Sequence, residues 1–196
     1  MKRFLVAFAV SASLSLLSAT PVYAQDTSPP GGAMKAKPGA GMTEGAGGCD
    51  SFTWDVSHEL DVLGKPAKSL AASTDGKKPA RLELDQHYAV KLAPQGAVKF
   101  AIKPGKLQIE DGAQGGVFAF HTPKAGKYRV SITTGHRLDL VDGGLLVVSQ
   151  DFQGQRGCEK VHKIVQFELS GNRDFVLQVS GDTQANLDLA VTQVKS

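Results

Sequence analysis

The segment Gly126–Ile132 has the sequence GKYRVSI and alternates apolar and polar residues with a period of two. Such alternation gives a β strand one buried face and one wet face. Two later segments repeat the pattern: Lys163–Leu169 (KIVQFEL) and Phe175–Val179 (FVLQV). Together they predict half of an antiparallel β-sandwich.

Further short strands are predicted on both sides of this segment. About nine closely spaced strands with glycine-rich turns favour an all-β fold, an antiparallel β-sandwich of jelly-roll-like type. A parallel sheet would need a helix between successive strands, and the sequence predicts only one helix. Asp142-Gly143-Gly144 predicts a hairpin, and Asp151–Gly157 is predicted to be a polar loop. Further strands are predicted at 80–84, 87–92, 98–102, 117–121, 138–141 and 145–149.

One short N-terminal helix is predicted over Ser51–Leu63. Apolar residues recur there at spacings of three and four, and Asp50 or Ser51 is available as the N-cap. Gly64 and Pro66 end the pattern. The apolar positions are Phe52, Val56, Leu60 and Leu63.

Residues 1–24 have the features of a secretory signal peptide. Lys2 and Arg3 precede an apolar run, and the small-x-small pattern ending at Ala24 predicts cleavage before Gln25. A membrane anchor is the rival interpretation, but the run is short for a bilayer span and diluted by serines. The prediction is a periplasmic or secreted bacterial protein without a membrane span after cleavage.

Residues 25–48 contain seven glycines and three prolines, and no aromatic residue, Val, Ile or Leu. Such a composition cannot bury enough apolar surface to offset the entropy of ordering. We therefore expect a disordered linker over 25–48, followed by a β-sandwich domain over 49–196.

Charge limits the classes of partner. The chain has 22 Lys and Arg against 19 Asp and Glu, so loss of Lys2 and Arg3 with the signal peptide leaves 20 against 19. Nucleic acid and anionic lipid both require clustered positive charge. The near-neutral balance therefore predicts that neither is a partner.

Two cysteines, Cys49 and Cys158, bracket most of the expected domain. In an exported chain, two isolated thiols predict a disulfide, because they supply only half of a tetrahedral zinc site. The bond would tie the N-terminal entry of the domain to the sandwich.

No catalytic motif is complete. His58-Glu59 begins a zinc-protease pattern, but the second histidine that the pattern requires is replaced by Val62. The pair is therefore interpreted as an exposed helical surface pair. No serine lies in a Gly-x-Ser-x-Gly elbow.

The sequence predicts no metal site and no cofactor. The other histidines, at 87, 121, 136 and 162, are scattered over separate strands or loops. Asp139, Asp142 and Asp151 lie in one half of the chain but lack the dense alternation of acids typical of calcium loops. Calcium binding in the loops is left open.

Three segments resemble the bacterial pre-peptidase C-terminal domain. They are His87–Pro94 (HYAVKLAP), Gly126–Ile132 and Phe175–Gly181 (FVLQVSG). The resemblance spans roughly Ala80 to Val194. It implies a secreted jelly-roll-like sandwich of a type commonly appended to exported hydrolases. With no hydrolase domain in this sequence, it implies a stand-alone, non-catalytic binding or accessory module, and it transfers no functional residue.

These features predict an exported, non-catalytic sandwich that binds another envelope protein or a polymer such as a polysaccharide. A carbohydrate-binding module, which would display exposed aromatics on one face, is the first alternative. A small metal-dependent hydrolase is the second. The loop Thr134–Arg137 supplies the candidate contact residues His136 and Arg137, as cationic side chains beside Gly135 would reach outward.

Overall fold

The computed structural model describes residues 43–104 and 111–195. The predicted signal peptide and residues 25–42 of the predicted linker lie outside the described residues. Thirteen strands are present in the described ranges. In chain order they are β1 Thr43–Gly45, β2 Lys68–Ala71, β3 Ala80–Arg81, β4 Tyr88–Lys91, β5 Ala93–Pro94, β6 Gln114–Thr122, β7 Gly126–Ile132, β8 Arg137–Asp142, β9 Leu145–Val147, β10 Asp151–Gln155, β11 Lys163–Leu169, β12 Arg173–Asp182 and β13 Asn186–Gln193.

The strands form two sheets. Sheet 1 has the order β1-β10-β11-β7-β13-β4-β2, and sheet 2 has the order β3-β6-β12-β8-β9, with β5 paired to β6. Buried side chains from both sheets form one core, which includes Tyr128 of β7 and Phe118 of β6. The prediction of an all-β sandwich is confirmed, and the jelly-roll arrangement stays a prediction.

The strand count and the pairing differ from the prediction of about nine antiparallel strands. Strands β1, β2, β3 and β5 have two to four residues each, too few to show a period-two pattern. The pairs β1–β10, β2–β4 and β3–β6 are parallel, and the other pairs are antiparallel. Both sheets owe their mixed character to such short strands, which tertiary contacts define.

Two segments exchange their predicted roles. The predicted loop over Asp151–Gly157 contains β10. Its sequence lacks the apolar alternation of a strand, because the buried residue Gln153 contacts a polar partner, Thr53. The predicted strand over 98–102 is not a strand. It crosses the outer face of sheet 2, where the Gln178 side chain accepts from the N–H and donates to the C=O of Ile102, at 3.0 and 3.2 Å.

Strand β7 is buried on both faces, whereas its alternating sequence predicts one wet face. Tyr128, Val130 and Ile132 lie in the core between the sheets. Arg129 and Ser131, on the opposite face, are also buried. Their cover is a second apolar cluster on the outer face of sheet 1, formed by Phe52, Val56, Val62, Leu63, Cys158, Val161, Ile164 and Ala190.

The helix is shorter than predicted. It spans Ser57–Leu63 (α1) and follows a 3₁₀ turn at Cys49–Ser51. The predicted N-cap is wrong, because the chain between turn and helix is irregular and the Asp55 carboxylate accepts the Ser57 N–H at 3.0 Å. The end at Gly64 is confirmed: its N–H donates to the Leu60 carbonyl at 2.9 Å.

The predicted disulfide between Cys49 and Cys158 is confirmed. It joins the 3₁₀ turn before α1 to the chain after β10. Strand β1, in a segment whose composition predicts a linker, pairs with β10 close to this bond. Residues 43–45 of the predicted linker therefore form a strand of sheet 1. No helix within the described ranges is long and apolar enough to cross a membrane.

Candidate functional site

The predicted contact residue His136 is buried, so the premise that it reaches outward is wrong. Its side chain has no exposed surface, and Nδ1 lies 2.7 Å from the Thr134 hydroxyl. Burial lowers the pKa of His136 to about 4, since water no longer stabilises the charged imidazole. The side chain is neutral at pH 7 and cannot serve as an exposed cation.

Arg137 differs from its neighbour in exposure. Its side chain is 43% exposed and its Nε donates to both carboxylate oxygens of Asp139, at 2.9 and 3.1 Å. That ion pair orients the guanidinium and offsets part of its charge. Of the two predicted residues, Arg137 alone is placed to contact a partner, and this role stays a prediction.

The loop that carries both residues is fixed by groups that the sequence did not single out. Lys163 Nζ donates to the carbonyls of Gly135 and His136, at 2.8 and 3.2 Å. The Asp182 carboxylate accepts the Gly135 N–H at 3.1 Å. These residues come from β11 and β12, so no local sequence pattern reveals them. The contacts tie the loop between β7 and β8 to β11 and β12.

The interpretation of His58-Glu59 as an exposed pair is wrong for Glu59. Glu59 is 1% exposed, and its two carboxylate oxygens lie 3.4 Å from Arg129 Nη1. The Thr192 hydroxyl donates to one of them at 2.9 Å. Arg129 also stacks on Trp54, with its guanidinium carbon 4.7 Å from the ring centroid. A buried ion pair therefore joins α1 to sheet 1.

The remaining histidines each lie beside one carboxylate. His58 Nε2 is 2.8 Å from Asp85, and the other three lie 3.1 to 3.3 Å from their acids. Among the described residues, no group of three or more His, Cys, Asp or Glu is arranged to hold a metal ion. The other pairs are His87 with Asp188, His121 with Asp174, and His162 with Glu44.

The acids considered for calcium are separated and engaged. Asp139 binds Arg137, and Asp142 accepts from Arg173 Nε at 2.9 Å. Asp151 lies in the other sheet, where it accepts the N–H of Phe152. The described geometry does not bring the three carboxylates into one loop.

The hairpin of β8 and β9 exposes apolar side chains to solvent. Its two-residue turn, Gly143-Gly144, has φ values of 55° and 86°, as a type I′ turn requires. The sequence-predicted hairpin is thus confirmed. Leu145 is 75% exposed, Leu146 45% and Val148 86%, and these are the exposed large hydrophobic residues of the described ranges.

The hairpin register determines which backbone groups face outward. Asp142 pairs with Leu145 beside the turn, and Val141 pairs with Leu146 next. Because antiparallel pairs alternate between hydrogen-bonded and non-hydrogen-bonded, the N–H and C=O of Leu146 point away from β8. Strand β9 is the edge of sheet 2. It therefore presents both unpaired backbone groups and apolar side chains.

Comparison with known proteins gives similarities to solved structures. No protein-family model and no curated protein matches the chain. Among solved structures, the pre-peptidase C-terminal domain of a Bacillus anthracis collagenase is similar, with 15% identity, 65% of this chain and 98% of that chain covered, and a TM-score of 0.33. A Kluyveromyces marxianus β-glucosidase in complex with glucose shows 13% identity over 47% of this chain and 12% of that chain, with a TM-score of 0.31. The chain thus resembles the pre-peptidase C-terminal domain, as its sequence segments do.

Proposed function

We propose that this protein is an exported, non-catalytic β-sandwich module that binds another protein of the cell envelope through the hairpin of β8 and β9. The observation that carries the proposal is the exposure of Leu145 and Leu146 on the edge strand β9, and of Val148 directly after it. Exposed apolar clusters on soluble domains mark interaction sites. An unpaired strand edge is also a template for an added strand.

The same observation favours a protein partner over a neutral polysaccharide. Sugar rings stack on exposed aromatic faces. In the described ranges, Trp54 is half-buried under Arg129, and the exposed large apolar residues are aliphatic. Aliphatic side chains beside free backbone groups suit an extended polypeptide, whose own N–H and C=O groups pair with Leu146.

A photo-crosslinking residue at position 148 tests the proposal in the producing cell. It should capture one envelope protein, whereas the same residue at Lys124, an exposed turn position, should not. The captured protein is then identified, purified and titrated against the wild-type protein. Leu145→Ser with Val148→Ser should weaken its binding at least tenfold, because hot-spot contacts each contribute more than about 1 kcal/mol.

A proline substitution separates backbone pairing from side-chain contact. Leu146→Pro removes an N–H that faces away from β8, so the hairpin should persist, as proline is tolerated at strand edges. Leu146→Ala removes the side chain but keeps the N–H. Strand addition predicts weaker binding for the proline variant than for the alanine variant. Equal crosslinking at 148 and 124, or capture of a second copy of this chain, would contradict the proposal.

A further inference from the structure

Two chain segments cross on the outside of sheet 2 with their backbones in contact. The Lys99 N–H donates to the Thr74 carbonyl at 2.8 Å, and the Gly76 N–H donates to the Lys99 carbonyl at 2.7 Å. A Cβ atom at Gly76 would lie 2.4 Å from the backbone nitrogen of Ala101. Glycine is therefore needed for the close approach, which brings residues 74–78 and 98–103 together.

This junction concentrates positive charge. Lys77 and Lys78 lie on the first segment, and Lys99 and Lys103 on the second, and all four are exposed. None of the four makes an ion pair with a described residue. Asp75 is the single acid within the two segments, so four lysines against one aspartate leave a net charge of +3. We call these four lysines the lysine face.

The lysine face is fixed on the sheet. Gln178 of β12 binds both backbone groups of Ile102, which lies between Lys99 and Lys103 in the chain. Arg137 belongs to the same outer side of sheet 2, because it pairs with Ser180, two residues after Gln178. Asp139, which pairs with Gln178, lies on this side too and binds the Arg137 guanidinium, so the positive charge of the surface comes from the four lysines.

We propose that the lysine face binds a linear acidic polysaccharide, that is, a polymer with closely spaced carboxylate charges. Lys99 and Lys103 are joined by four residue steps, at most about 14 Å of extended chain. A ligand must therefore carry several anions within a short length. Lysine ammonium groups bind such charges as points and do not require the planar geometry that arginine forks select.

The side chains around the lysines favour a polymer over other anionic partners. Ala101 is small, Phe100 and Ile102 are half-buried, and the exposed large apolar residues of the described chain lie on the hairpin instead. A protein interface needs an apolar or aromatic centre, and lysine is depleted there. Stable attachment to a membrane by an amphipathic surface needs inserted apolar side chains.

The lysine face is not visible in the net charge of the chain. Nearly equal totals of acidic and basic residues predict that neither nucleic acid nor anionic lipid is a partner, but a total does not report how charges are distributed. The fold brings together lysines that are more than twenty positions apart in the chain. The surface does not include the hairpin residues, so this proposal stands independently of the protein partner.

The test is titration of the purified protein with polygalacturonate at 50 and 200 mM salt. With four lysine contacts and a salt dependence like that of single-stranded nucleic acid, affinity should fall about 50-fold over this range. The variant K77Q/K78Q/K99Q/K103Q should bind at least tenfold more weakly at 50 mM salt. A matched control, K124Q/K127Q/K160Q/K195Q, removes the same charge at four exposed lysines elsewhere and should retain binding.

Four other outcomes are possible or must be controlled for, and each binding result below would contradict the proposal that the lysine face binds an acidic polysaccharide. Equal weakening in the two variants would mean that net charge, not the lysine face, drives binding. Tighter binding to phosphatidylglycerol vesicles or to duplex DNA than to polygalacturonate at the same salt would contradict the polysaccharide class. Absence of binding at 50 mM salt would also contradict it. The urea midpoint of each variant verifies that the fold is intact.

Discussion

Removal of the Glu59 carboxylate should destabilise the domain strongly, because it leaves a buried cation unpaired. Glu59 is 1% exposed and Arg129 7%. Loss of one partner of a buried ion pair costs about 3 to 5 kcal/mol. In a domain of this size, that corresponds to a fall in melting temperature of roughly 10 to 15 °C.

The other partners of Arg129 remain in Glu59→Ala and set the lower end of this range. Arg129 Nη1 still donates to the Asp55 carbonyl at 2.7 Å, and Nε to the Gln166 side chain at 3.0 Å. The stacking on Trp54 also persists. The Thr192 hydroxyl loses its acceptor, which contributes a further cost on the order of 1 kcal/mol.

Urea unfolding measures the effect. Trp54 is the single tryptophan of the chain and lies against Arg129, so its fluorescence reports on this site, while circular dichroism reports on the sheets. The two transitions should coincide in the wild-type protein. Asp61→Ala, an exposed acid on the same helix, is the matched control and should change the stability by less than about 0.5 kcal/mol.

The double variant Glu59→Leu with Arg129→Met supplies the decisive comparison. An apolar pair of similar volume often replaces a buried ion pair without net loss, so this variant should be more stable than Glu59→Leu alone. If the two single substitutions prove additive, or if Glu59→Ala costs less than about 1 kcal/mol, the ion pair does not join α1 to sheet 1 in the way described.

Three further predictions concern other parts of the fold. Replacing Cys49 and Cys158 by alanine should lower the stability by about 4 to 5 kcal/mol in the chain-entropy model, as measured by urea unfolding against the wild-type protein, and an unchanged urea midpoint would contradict this. His136 has a folded-state pKa of about 4 and an unfolded value near 6.5, so the unfolded state binds the proton more readily. Its contribution is fully present above pH 6.5 and is lost as pH falls towards 4, on the order of 3 kcal/mol, and His136→Asn should show a smaller slope in this window. Gly144→Ala, at a φ of 86°, should cost about 1 kcal/mol, whereas Gly96→Ala, with open space at its Cβ position, should not.

Local chemistry made some elements predictable from sequence. The hairpin follows from Asp142-Gly143-Gly144, because glycines tolerate the positive φ values of a type I′ turn. The inward residues of β7 follow from period-two alternation. The disulfide follows from having only two cysteines in a chain expected to be exported. Each of these signals lies within a few residues or concerns a unique pair.

Other elements depend on contacts between distant segments. The burial of Glu59 requires Arg129 and Thr192, which are 70 and 133 positions away. The sequence of β10 predicts a loop, because Gln153 is buried against a polar partner instead of the apolar core. The sequence predicts His136 to be an exposed loop cation, because the residues that contact its loop, Lys163 and Asp182, come from other strands. Periodicity and motif spacing carry no information about such enclosure.

The outer faces of the two sheets differ in what covers them, and this difference predicts how substitutions on each face should act. On sheet 1, the layer that contains α1 and the disulfide buries Arg129 and Ser131, so substitutions there should act through stability. On sheet 2, an irregular segment crosses the strands and displays Lys99 and Lys103, while β9 leaves its edge unpaired. Substitutions on those surfaces remove no buried contact, so they should alter binding at an unchanged melting temperature. A variant of the lysine face or of the hairpin that loses binding only in proportion to lost stability would contradict this division.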